Sequence, residues 1–216
     1  MQTARFKYDK ENIVLKIADI QKLKELNKEM ITSKIMDLTV IYYYTLFHND
    51  KMSVSIPLSK EILEVIEINR QDLYKIALSN TLRINPPEIM LFEDFEKRFL
   101  SYSMSEENEE YKNASKDIYL VANDYGTGAV YILDRNTLDI IADKLQDDLA
   151  IIPSSSQEIL VLAKSHKRLS EWVLAVKEAH ELILDKDERL SNSVYFYNRD
   201  TKEFSYQSAD DFVCNE

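Results

Sequence analysis

The chain has 216 residues, of which 45% are apolar and 30% charged, a balance that allows one compact domain or two small ones and excludes wholesale disorder. No run approaches the ~18 apolar residues of a membrane helix, and no apolar stretch follows the first charges, so neither a membrane span nor a secretory signal is expected. The net charge of −11 lies entirely in residues 105–216, with 12 Lys/Arg against 23 Asp/Glu, whereas residues 1–104 carry 15 of each; this disfavours direct nucleic-acid binding.

In chain order, residues 12–18 read as a short strand and 19–30 as a helix with Ile20, Leu23, Leu26 and Met30 at helical spacing. Residues 35–47 are β-branched and aromatic and favour a strand, paired as a hairpin with 52–56 across a polar turn at 48–51. Ser59 caps a short helix to about Ile66, and Asn69 with Asp72 resembles a capping box for a helix over 70–82. Pro86-Pro87 ends that helix and opens another over 88–100. Residues 103–116 are polar, carry Glu106, Glu107, Glu109 and Glu110, and read as a linker or loop, with a solvated helix end as the competing reading, between an N-terminal region (1–102) and a C-terminal region (117–216) that either pack as one domain or form two.

The second half is more regular. Residues 117–123 and 129–133 alternate as a hairpin across the loop that holds the only two glycines, Gly126 and Gly128. Leu138, Ile141, Ala142 and Leu145 form a helical stripe, with Asn136 and Asp139 at its start. Leu149–Ile152 and Glu158–Ala163 make a second strand pair. Residues 167–184 read as a helix with Leu169, Trp172, Val173, Val176 and Ile183 on one face, and 194–197 with 203–206 close a last hairpin. The expected fold is α+β, with antiparallel sheet built from consecutive β-hairpins and packed helices, the second half running β-β-α-β-β-α-β-β. Elsewhere the near-absence of glycine leaves turns to Asn, Asp, Ser and Pro.

The runs Tyr119-Leu-Val-Ala-Asn-Asp-Tyr-Gly-Thr-Gly-Ala-Val-Tyr-Ile-Leu133, Asp148-Leu-Ala-Ile-Ile-Pro-Ser-Ser-Ser-Gln-Glu-Ile-Leu-Val-Leu162 and Leu190-Ser-Asn-Ser-Val-Tyr-Phe-Tyr-Asn-Arg199 resemble an uncharacterised bacterial domain-of-unknown-function family, often met on mobile elements. With Ile35-Met-Asp-Leu-Thr-Val-Ile-Tyr-Tyr-Tyr44 and Asp72-Leu-Tyr-Lys-Ile-Ala-Leu-Ser-Asn-Thr81, the resemblance spans about residues 31–200. It implies an architecture and carries no established activity. The resemblance implies a further segment ahead of this region, and residues 1–30 are expected to be too short to hold all of it.

Little in the chain points to chemistry. The three histidines, His48, His166 and His180, are not spaced as ligands, and Cys214 stands alone in the tail, cannot form an internal disulfide and fits a cytoplasmic protein, so no metal or cofactor is expected. Pro153-Ser154-Ser155-Ser156 lacks the glycines of a nucleophile elbow and reads as a turn. Gly126-Thr127-Gly128 lacks the third glycine and the lysine of a phosphate loop. Asp147-Asp148 and Asp185, Asp187 and Glu188 are carboxylate groups in a chain with 38 acidic residues, and solvation accounts for them. Tyr42, Tyr43 and Tyr44 must place rings on both faces of a strand, with core the plainer role and a partner contact the sharper one.

Two functions are weighed. The first is a cytoplasmic, non-enzymatic protein-binding module that contacts a basic protein partner through Glu106, Glu107, Glu109, Glu110, Asp147 and Asp148, with no nucleic acid or membrane involved; in its sharpest form it is a mobile-element inhibitor of a nucleic-acid-binding host protein. The second is an enzyme with a polar site at 153–158 and Asn123. A deep pocket of converging polar groups favours the enzyme, and a convex acidic face the binder.

Overall fold

The computed structural model describes residues 8–18, 30–49, 51–99, 117–153, 155–182 and 190–212. The chain divides into two compact units, 1–86 and 87–216.

The first unit holds β1 (Ile13–Ala18), β2 (Thr32–Ile35), β3 (Leu38–Asn49), β4 (Met52–Pro57), α1 (Lys60–Ile66) and α2 (Arg70–Ile84). Strand β3 is the spine of an antiparallel sheet. β1 pairs with one of its edges, while β2 and β4 share the other edge end to end. Tyr42 joins these two: its N–H donates to the Ile31 carbonyl and its carbonyl accepts from Leu58 N–H. The predicted strand at 35–47 and its hairpin partner are therefore present. Tyr42 and Tyr44 are core residues whose hydroxyls stay satisfied, by Ser33 and by Asp9 N–H with Asn12. Tyr43 faces the other way, half-buried, with the Lys16 ammonium 5.0 Å from its ring centroid. Burial pushes the Lys16 pKa down and that of Tyr43 up.

The outer edge of β1 is covered by side chains of α2. Thr81 Oγ1 accepts from Leu15 N–H at 2.9 Å, and Asn80 donates to the carbonyls of Lys10 and Ile13. Both helix starts follow the sequence reading: Ser59 accepts from Ile62 N–H, and Asn69 from Gln71 N–H.

The second unit holds β5 (Glu88–Leu91), α3 (Phe92–Phe99), β6 (Tyr119–Ala122), a 3-10 helix (Gly128–Leu133), α4 (Arg135–Leu145), β7 (Leu149–Ile152), β8 (Glu158–Ala163), a 3-10 turn (Lys164–His166), α5 (Leu169–Leu182), β9 (Ser193–Tyr197), β10 (Phe204–Ser208) and α6 (Ala209–Phe212). Its six strands form one antiparallel sheet in the order β10-β9-β7-β8-β6-β5. α5 packs on one face: Trp172 and Val176 meet Ala150, Ile152, Leu162, Val194 and Phe196. α4 lies over the opposite face, where Asp139 accepts a hydrogen bond from the Tyr197 hydroxyl. The α+β class with antiparallel sheets and packed helices is therefore the observed one.

Residues 128–133 are not the hairpin partner of β6, because β8 and β5 occupy both of its edges. Gly128 and Ala129 instead donate to the carbonyls of Gln157 and Ser156, and the run is buried at every position. A segment apolar on all sides has no solvent face to alternate against, so its β-propensity loses to tertiary packing. Residues 88–91 pair with β6 before α3 begins, so Pro86-Pro87 opens a strand rather than a helix. The cap of α4 is Asp134, which accepts from Asn136 N–H and Thr137 Oγ1, two residues ahead of the expected position. Leu145 is only half-buried, and Leu169 is 44% exposed. Met36, Glu67, Gln146 and Lys202 take positive φ, a role not expected of these residue types. The helix expected at 19–30 falls largely, and the linker at 103–116 wholly, outside the described residues.

Candidate functional site

The β9–β10 hairpin brings an edge strand beside the start of α5. On the face covered by α5, β9 presents Val194 and Phe196, which join the core. Their partners on β10 are Gln207 and Ser205, too polar or too small to extend that core. Helix cover therefore stops short of the sheet edge, and a cleft of about 640 Å³ opens there. Leu169, Trp172 and Phe196 supply its apolar lining, and Ser205, Tyr206 and Gln207 its strand wall. The Trp172 indole N–H donates to the Lys164 carbonyl at 3.1 Å, which fixes the ring at the cleft floor.

The charged wall comes from the turn before β7 and the 3-10 turn after β8: Asp147, Asp148, Lys164 and Lys167. Asp148 is anchored in place. One oxygen accepts from Arg199 N–H at 2.9 Å, and the other from the Asn198 amide at 3.2 Å and Lys164 Nζ at 3.4 Å. Asp147 accepts from Ser165 N–H at 3.2 Å. Two carboxylates and two lysines thus share the lining, with Lys164 paired to Asp148, and the lining is close to neutral although the half of the chain around it is acidic.

The polar loops singled out for an enzymatic site are bound to each other. Asn123 donates to Thr127 Oγ1 and the Tyr131 hydroxyl, both at 2.8 Å, and accepts from the N–H groups of Tyr125 and Thr127. Ser155 accepts from Gln157 N–H and donates to Glu158. Gly128 N–H closes the two loops onto one another through Gln157. Burial, with the nearby Asp134 charge, pushes the Tyr131 phenol up to about 12, against the opposing hydrogen bond from Asn123. These groups hold a fold junction together.

A second ionisable cluster joins α4 to the last hairpin. Asp139 accepts from Tyr197 at 2.8 Å and from Lys202 at 2.7 Å. Desolvation alone would raise the Asp139 pKa, but these two donors outweigh it and hold the carboxyl below its ordinary range. Burial, together with the hydrogen bond to Asp139, pushes the Tyr197 phenol up to about 12.

Of the residues proposed from sequence, Asp147 and Asp148 line the cleft. Glu106, Glu107, Glu109 and Glu110 lie outside the described residues, as does the His180 side chain. Asn123 and residues 155–158 do not reach the cleft. Sequence reasoning missed Lys164, Phe196 and the wall of β10. The available signal was Phe204-Ser-Tyr-Gln-Ser208, a strand with no charge and no proline in the more charged half of the chain.

No helix among the described residues is long and apolar enough to cross a membrane. No curated protein and no solved structure matches the chain. One family model does, over residues 1–199, so the match begins well before the region near residue 31 where the resemblance was expected to start. The match takes in the first unit and the second as far as the end of β9, and the chain belongs to the Family of unknown function (DUF5688).

Proposed function

We propose that the chain is a non-enzymatic protein-binding module whose second unit makes the contact. The observation that carries this reading is the confinement of the whole net charge of −11 to residues 105–216. The open cleft beside β10 supports it, because apolar lining under a polar rim is the make-up of a protein contact rather than of bare solvated surface. An acidic half steers a basic partner, and in the sharpest form of the proposal that partner is a nucleic-acid-binding protein whose phosphate-contacting surface is covered.

Steering sets the test. Association with a partner recovered by pull-down slows as salt rises, because the field is screened over a Debye length of ~8 Å at physiological ionic strength. Reversal of Glu106, Glu107, Glu109, Glu110 and Asp147 to Lys lowers the association rate more than it raises the dissociation rate. Asp148 is left intact, since its carboxylate anchors Asn198 and Arg199. Salt-independent association with unchanged rates in the reversal variant overturns the proposal.

A further inference from the structure

The edges of the two sheets are not treated alike. The outer edge of β1 is covered by Thr81 and Asn80. β5 follows Pro86-Pro87 and carries Glu88, paired with Arg98 at 3.1 Å. β2 is four residues long and carries Lys34, and β4, which shares its edge of β3, carries no charge but ends in Pro57 and pairs across a β-bulge between Thr45 and Phe47. These are the usual protections of a strand edge. β10, Phe204-Ser-Tyr-Gln-Ser208, has no charge and no proline, and among the described residues nothing pairs with its outer edge.

The hydrogen-bond alternation of the hairpin shows which groups that edge presents. Asn198 N–H donates to Glu203, and Ala209 N–H donates to Asn192. Odd-numbered residues of β10 therefore turn their backbone polar groups toward β9, and Phe204, Tyr206 and Ser208 turn theirs outward. The side chains divide the other way: Ser205 and Gln207 share the cleft face with their partners Phe196 and Val194, and the Tyr206 ring stacks on Tyr195 on the other face. A strand laid against β10 would satisfy the outward groups and point alternate side chains over Leu169, Trp172 and Phe196.

We infer that β10 and its cleft take an extended segment of a partner protein by strand addition, a refinement that rests on the protein-binding reading above. The cleft selects the occupant. In a second copy paired antiparallel through Tyr206, Ser205 and Gln207 of that copy would lie over the apolar lining and leave it unfilled. A segment with a large apolar side chain at that position fills it. The ends of β10 add a charge requirement: Asp200 and Glu203 stand at one end, Asp210 and Asp211 at the other, all exposed. The segment is therefore uncharged over its paired residues, with one Leu-, Met- or Phe-sized side chain facing the cleft and Lys or Arg at its flanks.

A display library of random twelve-residue peptides, selected on the full chain, tests this. The expected consensus is alternating, with one large apolar position between basic flanks. Trp172, the only tryptophan, lines the cleft and reports occupancy by a change in its emission. Ser205→Arg, an exposed substitution that obstructs the cleft, weakens the selected peptides roughly tenfold or more, and so does N-methylation of alternate backbone amides in the peptide. Tyr206→Pro removes an outward N–H that bonds nothing in β9 and has the same effect; Ser205→Arg decides the matter if the proline variant unfolds. Enrichment of no peptide, or selected peptides that tolerate both Ser205→Arg and N-methylation, overturns strand addition. Salt-dependent binding of the recovered partner would then still stand on its own. A concentration-dependent dimer in sedimentation that Ser205→Arg dissociates would make a second copy the occupant and also overturn the inference.

Discussion

Gly126 and Gly128 are two residues apart and are required for different reasons. Gly126 has φ of +63°, and a Cβ there would meet only the end of the Gln157 side chain. Gly128 has ordinary φ, but its Cβ would overlap the Gln157 carbonyl oxygen, which accepts its own N–H. Gly126→Ala is expected to cost roughly 1 kcal/mol through backbone strain. Gly128→Ala is expected to cost more, on the order of 1–3 kcal/mol, because two loops must separate. Glu67→Gly, at a left-handed helix end, is expected to be stabilising by a few tenths of a kcal/mol, about the gain glycine brings to such caps. Denaturant unfolding of the three variants checks the order, and a Gly126 variant less stable than the Gly128 variant would contradict it. The sequence made the need for glycine at this loop legible. It did not reveal that Met36, Glu67, Gln146 and Lys202 would take positive φ, because neighbouring elements impose that geometry.

Tyr131 and Tyr197 make a pH prediction at the same scale. Both phenols have an ordinary value of 10 and are pushed up to about 12 in the fold, first by burial. The folded state therefore holds these protons more tightly than the unfolded chain. The stability this contributes is complete below pH 10 and is lost as pH rises from 10 to about 12. Phenolate absorbance should show two late-titrating groups that disappear in Tyr131→Phe and Tyr197→Phe. Titration of both with the exposed tyrosines would remove the effect.

At the scale of elements, α5 shows what periodicity conveys and where it stops. Trp172, Val173 and Val176 are buried as their spacing predicts, and Trp172 is 1% exposed. Leu169 fits the same stripe but lies one turn nearer the cleft, beyond the edge of the core it would need to reach. Trp172→Ala is expected to cost on the order of 3–5 kcal/mol, since the ring is packed in one core with Ala150, Ile152, Leu162, Val176, Val194 and Phe196 and cannot be replaced by their collapse. Urea unfolding measures it, and a loss under about 1 kcal/mol would mean that the cleft, not the core, holds the ring. Strands β3, β7, β8 and β9 were legible for a similar reason, being β-branched or aromatic runs bounded by polar turns. The 128–133 run carries the same composition and was misread, because a single chain cannot show that both edges of β6 are already taken.

At the scale of the whole molecule, the charge asymmetry was legible by counting and the cleft was not. Asp147 and Asp148 stood out as a pair, yet their neighbours in the cleft come from residues 164–172, 196 and 205–207. Only the strand order of the sheet brings those segments together. The division of the chain was hidden in the same way. Composition changes at 103–116, whereas the units part at 86/87, and β5 reaches β6 from ahead of that segment.

That pairing determines what a break in the covalent chain would do. β5 is held to β6 along the four-residue register from Glu88↔Ala122 to Leu91↔Tyr119, and Phe92 N–H extends the ladder to the Ile118 carbonyl at 2.8 Å. A protease site engineered within 103–116 and then cut would separate the polypeptide without removing a strand from the sheet. The two fragments are expected to elute together at the uncut size and to part only in denaturant. Fragments that separate under native conditions would show that the ladder at this edge is too weak to act as a non-covalent splint. If they stay together, the chain can be supplied as two complementing pieces, with the label, tag or partner sequence of choice carried at the new termini.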